Sequence, residues 1–110
     1  MAKVVGVHEI MLRGGVTESE FEALVADYKK SVAPPPAGVS VRVMRGTRGD
    51  RVGRFLMLFE FDSLEAYKHH SPTMYTHSEE WRKWMEANAA ATQKVTAAVH
   101  GMIFTDYVEL

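Results

Sequence analysis

The chain has 110 residues, no cysteine, and 13 basic against 14 acidic side chains for a formal charge of −1. That length reads as one domain, residues 1–110, with room for a core of its own. The missing thiols exclude disulfides, iron–sulfur clusters, thiolate zinc sites and cysteine nucleophiles, and the mixed charge offers no basic stripe for nucleic acid.

Met1 to Glu9 reaches a carboxylate too early for a signal peptide, and no run approaches the ~18–20 apolar residues of a membrane span. A cytoplasmic protein without membrane contact is therefore expected. Residues 3–13 read as a first strand through Val4, Val5, Val7 and Ile10, ending at Gly14 and Gly15. Thr17-Glu18-Ser19-Glu20 then has the spacing of a capping box, with Val16 and Phe21 at the staple positions. Phe21, Leu24, Val25, Tyr28 and Val32 recur at helical spacing, and Pro34-Pro35-Pro36 ends that helix by removing donors. Val39 to Arg45 is a second strand, and the Gly-rich, charged segment 46–53 is a hairpin loop into the third.

The third strand, Arg54 to Phe61, is apolar on both faces. Phe55, Met57, Phe59 and Phe61 point one way, and Leu56 and Leu58 the other, with Glu60 among them. A strand exposed on one face should alternate apolar and polar, so each face of this one needs a cover. Asp62 to His70 follows as a short helix with Asp62 and Glu65 as its capping pair. A longer helix is expected to start at Thr76 as cap, with Trp81, Trp84, Met85, Asn88, Thr92 and Val95 on its inward stripe. Residues 98–108 are the last strand.

The order β-α-β-β-α-β predicts an α+β, ferredoxin-like fold: a four-stranded antiparallel sheet with both helices on one face. Each sheet face presents roughly 500 Å². The chain is too short to cover both with helices. A second copy is the expected cover, giving a homodimer through the other face.

With these elements in place, the chain resembles the dimeric α+β barrel superfamily, whose members include antibiotic-biosynthesis-type monooxygenases, haem-degrading monooxygenases and stress-responsive proteins. The resemblance rests on the element order, on the strand-to-helix run Phe59-Glu60-Phe61-Asp62-Ser63-Leu64-Glu65-Ala66-Tyr67, and on the closing strand Phe104-Thr105-Asp106-Tyr107-Val108-Glu109-Leu110. It implies a dimeric barrel with a pocket for a small apolar or aromatic ligand. By that resemblance His77 falls near the haem-ligating histidine of the haem-degrading branch. That branch also uses an Asn on the first strand and a Trp before the ligand, and those places hold His8 and His70 here. The cofactor-free oxygenase pattern is the easier match, so no cofactor is expected, with haem on His77 as the alternative.

Five histidines carry the concentrated chemistry. In the first turn of a helix capped by Thr76, His77 would be held neutral by the positive end of the helix dipole, the form that ligates metal or accepts a proton. The expected catalytic set is His8, Glu60 and His77. Tyr67, His70, Tyr75, Trp81, Trp84 and His100 are expected to line the pocket. No metal motif is present, because the clustered histidines lack a carboxylate at fixed spacing. Two readings stand: a small oxygenase acting on an aromatic or enolic substrate, and a non-catalytic ligand-binding or structural dimer. Convergence of Glu60 and a histidine on one cavity would separate them.

Overall fold

Cross-strand register decides which side chains share a face. The structure, a computed structural model, describes residues 2–110. Its elements are β1 (Val4–Leu12), α1 (Glu18–Ser31), β2 (Val39–Arg45), β3 (Phe55–Phe61), α2 (Leu64–His70), α3 (Glu79–Ala87), α4 (Ala89–Thr96) and β4 (Val99–Val108). The strands form one antiparallel sheet in the order β2-β3-β1-β4. This is the ferredoxin-like arrangement expected from the sequence.

Residues directly opposite one another point to the same side, so the pairing gives the rows of each face. On the helix-covered face Val41, Phe59, Gly6 and Asp106 form one row, and Val43, Met57, His8 and Phe104 the next. On the bare face the corresponding rows are Ser40, Glu60, Val5, Tyr107 and Met44, Leu56, Glu9, Ile103. A one-residue shift between Met11 and Leu12 ends the regular β1–β4 pairing.

Two apolar clusters fill the covered side. Ile10, Phe21, Phe55, Val95, Ala98 and Val99 form one, and Val4, Phe61, Trp81 and Trp84 form the other. The staple of α1 works as its spacing implies: Thr17 Oγ1 accepts from the Glu20 amide at 3.1 Å, Val16 packs against the first cluster, and Phe21 is fully buried.

The other two helix starts differ from expectation. Ser63, not Asp62, caps α2 by accepting from the Ala66 amide at 3.1 Å. Ser78, not Thr76, caps α3 by accepting from the Trp81 amide at 3.1 Å. Thr76 is occupied elsewhere, its hydroxyl 2.7 Å from that of Thr73 across a small loop.

The long helix is also interrupted. Buried Asn88 ends α3, its Nδ2 donating to Trp84 O at 2.8 Å while its Oδ1 accepts from the Ala33 amide at 2.8 Å. An amide side chain that satisfies its own helix and the loop after α1 at once fixes where the break falls. Trp84 Nε1 ties the same loop by donating to Ala33 O at 2.9 Å. Met85, expected on the inward stripe, is 43% exposed.

Candidate functional site

His8 projects from β1 onto the covered face, on the same side as Val4 and Ile10. Its ring lies 5.0 Å from that of Phe59 and 5.4 Å from that of Phe104, the latter stacked at 28°. Burial holds its pKa below the ordinary 6.5, with the charge of Asp106 pulling the other way. A neutral imidazole between two aromatic walls is an available base.

Asp106 is two residues beyond Phe104 on β4 and therefore faces the same side. Tyr67, reaching down from α2, donates its hydroxyl to Asp106 Oδ2 at 2.8 Å. That hydrogen bond, with burial and the carboxylate charge adding to it, raises the Tyr67 pKa above 10.0. Opposite Asp106 on β1 is Gly6. A methyl group there would come 2.8 Å from Asp106 Oδ1, so the missing side chain is what lets the carboxylate lie over β1 beside His8.

Trp81 joins the group through Phe59, with ring centroids 5.6 Å apart, and His77 stacks on Trp81 at 5.5 Å and 19°. The rings of His77, Trp81, Phe59, His8 and Phe104 thus form a continuous run across the covered face. His77 itself is exposed and precedes the Ser78 cap, so it lies before α3 and not in its first turn.

The structure brings together His8, Tyr67, Trp81 and, by stacking, His77. Glu60, Tyr75 and His100 lie apart from them. Glu60 is on the bare face, where it pairs with Arg42 at 2.8 Å and accepts from Ser40 Oγ at 3.3 Å. The strand alternation that puts Phe59 and Phe61 under the helices sends Glu60 the other way, so it does not converge with His8. Tyr75 is 86% exposed on the loop before α3. His100 is exposed at the β1–β4 irregularity, away from the Phe104–His8 pair, whereas Trp84 packs edge-on against Trp81 at 5.5 Å and donates to Ala33 O.

His70 is a buried structural residue rather than a pocket wall. Its Nε2 lies 3.0 Å from Ala37 O and its Nδ1 2.7 Å from Ser78 Oγ. Beside it, His69 Nε2 is 2.7 Å from Glu80 Oε2, a hydrogen bond that lowers the Glu80 pKa. Two hollows lie away from His8. One of about 340 Å³ opens under the β2–β3 loop among Glu9, Met44, Arg51 and Ile103, and another of about 260 Å³ lies between α1 and the start of α4. In the first, Arg51 already pairs with Glu9 at 3.3 Å.

Asp106 is the residue beside His8 and Tyr67 that sequence reasoning passed over. Its signal was the parity it shares with Phe104 on a strand whose partner, β1, offers His8 and Gly6 at the same parity.

Neither a protein-family model nor a curated protein matches the sequence. Solved structures do resemble the fold. A NIPSNAP family protein from Agrobacterium tumefaciens is 14% identical with a TM-score of 0.66, over 98% of this chain and 86% of that one. A dimeric protein of unknown function with a ferredoxin-like fold from Bacteroides fragilis is 16% identical with a TM-score of 0.57, over 96% and 94%. A point mutant of SnoaB, a cofactor-independent oxygenase from Streptomyces nogalater, is 14% identical with a TM-score of 0.55, over 96% and 90%. The chain therefore shares its ferredoxin-like fold with these structures.

Proposed function

We propose that the protein is a homodimer that binds a small aromatic or enolic molecule against the covered face and oxidises it without a cofactor, His8 acting as base. The observation that carries this reading is the half-buried His8 between Phe59 and Phe104, with the Tyr67–Asp106 pair beside it. An activated C–H of the substrate gives its proton to the neutral His8 imidazole, and the negative charge of Asp106 stabilises the imidazolium that forms. The carbanion left behind transfers electrons to dioxygen. Where the carbon is a methylene, the balance is CH₂ + O₂ → C=O + H₂O, with all four electrons supplied by the substrate and accepted by oxygen. Tyr67 orients Asp106, and the aromatic rings hold the substrate and exclude water.

The likeness to a cofactor-independent oxygenase supports the chemistry, and the likeness to a dimeric protein supports the assembly. Haem is the less well supported alternative. The places of the Asn and Trp in the haem-degrading pattern hold His8 and His70 here. A second copy suits the bare face because Met44, Ile103 and Tyr107 on it are 48%, 59% and 56% exposed in the single chain. Oxygen-electrode measurements with an anthrone, whose CH₂ is acidic and flanked by aromatic rings, test the reading. Oxygen uptake lost in His8→Ala is expected. Binding without uptake, seen as quenching of Trp81 fluorescence, would favour a ligand-binding dimer, and neither binding nor uptake across small aromatic and enolic probes would overturn the assignment.

A further inference from the structure

Four polar side chains meet where α2 ends and α3 begins. His69 Nε2 stands 2.7 Å from Glu80 Oε2, and His70 Nδ1 stands 2.7 Å from Ser78 Oγ. The chain spacing hides this cluster, because the carboxylate is eleven residues from His69 and reaches it only when α3 turns back. One donor atom each from His69, His70 and Glu80 lies within 4.8 Å of the others.

The protonation pattern of His70 follows from its partners. A backbone carbonyl only accepts, so the Nε2 that faces Ala37 O at 3.0 Å carries the proton. The lone pair is then on Nδ1, aimed at Ser78 and into the cluster. A buried imidazole with one N–H fixed by a carbonyl is how protein metal sites set their histidine ligands, and here the other nitrogen accepts from a single serine hydroxyl that a cation could displace.

We propose that His69 Nε2, His70 Nδ1 and Glu80 bind a divalent cation of zinc type, with the Ser78 hydroxyl or a water in the fourth position. Two imidazoles and one carboxylate suit zinc, cobalt(II) or nickel(II), and suit magnesium and calcium poorly. The cation replaces two hydrogen bonds: His69 carries its proton on Nδ1 once Nε2 ligates, and the Ser78 hydroxyl keeps its proton but turns it away from His70. Ligands around a tetrahedral zinc stand about 3.3 Å apart, so each 2.7 Å pair opens by about 0.6 Å, while a separation of up to 4.8 Å closes by as much as about 1.5 Å. His69 and Glu80, 59% and 56% exposed, are free to make that adjustment. Ser78 keeps its acceptor role toward the Trp81 amide, so the α3 cap survives. The bound cation fastens the end of α2 to the start of α3 and closes the loop that carries His77.

Calorimetric titration of the full chain with zinc chloride tests the site. One-to-one binding is expected, with His69→Ala and Glu80→Gln each weakening it by about tenfold or more. His77→Ala and His100→Ala should bind as the parent does. Long-range ¹H–¹⁵N spectra should show zinc on Nδ1 of His70 and Nε2 of His69, a distinction that random surface binding would not reproduce. Because His70→Ala removes a buried hydrogen-bonded side chain and can simply fail to fold, the exposed His69 and Glu80 variants carry the test. No stoichiometric zinc binding, or binding undiminished in both of those variants, overturns the proposal.

Discussion

The two faces of the sheet each hold a hydrogen-bonded carboxylate, exposed Asp106 on one and partly shielded Glu60 on the other, and the two have different surroundings. Asp106 on the covered face accepts a neutral hydroxyl from Tyr67 and lies beside His8, with no cation bonded to it among the described residues. Glu60 on the bare face is neutralised by Arg42 and also held by Ser40. An uncompensated carboxylate can stabilise a positive charge that appears during a reaction, whereas a paired one has already spent its field on its partner. Both acids sit on strands rich in aromatic residues. Only strand parity separates the one that can assist a base from the one that fastens a surface.

The sharpest way to break this comparison is to remove the base on one face and the acid on the other. His8→Ala should lower turnover by about 10²–10⁴-fold, and Glu60→Gln should leave it within a factor of about two. The acid limb of the pH–rate profile gives the same contrast. Burial lowers the His8 pKa, so activity should be full above 6.5 and fall as pH drops through the lower folded value. Stability should follow the same sign, because the unfolded chain binds the proton more tightly and gains as pH falls below 6.5. Equal losses in the two variants would sink the contrast.

Next in size is the test of what covers the bare face. Ile103→Glu places a carboxylate on that face next to Glu9, its cross-strand partner on β1. Like charges facing across an interface cost several kcal/mol, so the dimer should weaken by about a hundredfold or more. Light scattering should then report 12.4 kDa for the variant and twice that for the parent at micromolar concentration. A parent chain that already runs at the single-chain mass would show that nothing covers this face.

A smaller effect is expected from Tyr67→Phe, which leaves Asp106 without its hydroxyl donor. Loss of one orienting hydrogen bond should reduce turnover by about tenfold, consistent with ~1.5–3 kcal/mol for a bond to a charged group. Ultraviolet titration should lose the tyrosine whose pKa lies above 10.0 because of its bond to Asp106. The raised value favours the folded state below pH 10, and that contribution disappears as pH rises through the folded pKa.

Much of this fold was legible in the chain because apolar periodicity and capping are local signals. The Val16–Phe21 staple, the second strand and the two-faced third strand needed no tertiary information. The start of α3 was different, since Thr76 and Ser78 have equal chemistry for a cap. Ser78 holds that place because it also reaches His70, a partner eight residues back. The break at Asn88 depends on Ala33, fifty-five residues away, and no window of local sequence contains both. For the site, His8, Tyr67 and Trp81 are brought together, but Asp106 required the β1–β4 register. Glu60 shares its parity with Leu56 and Leu58, and that alternation alone places it outside the pocket expected for it.

The smallest expected effect reads the bare face from the inside. Glu60→Ala strands Arg42, whose side chain is 55% exposed against 22% for Glu60. In the isolated chain water can solvate the guanidinium, so the cost should stay within about 0.2–1 kcal/mol, as for exposed pairs. When a second copy covers the sheet, the same arginine loses that water and the cost should rise to about 1–3 kcal/mol. Denaturant melts of parent and Glu60→Ala, run in the background of Ile103→Glu and again without it, measure both figures. A larger penalty in the background that dimerises locates the Arg42–Glu60 pair within the covered area. Equal penalties in the two backgrounds place it outside, at the rim beyond the second copy's reach.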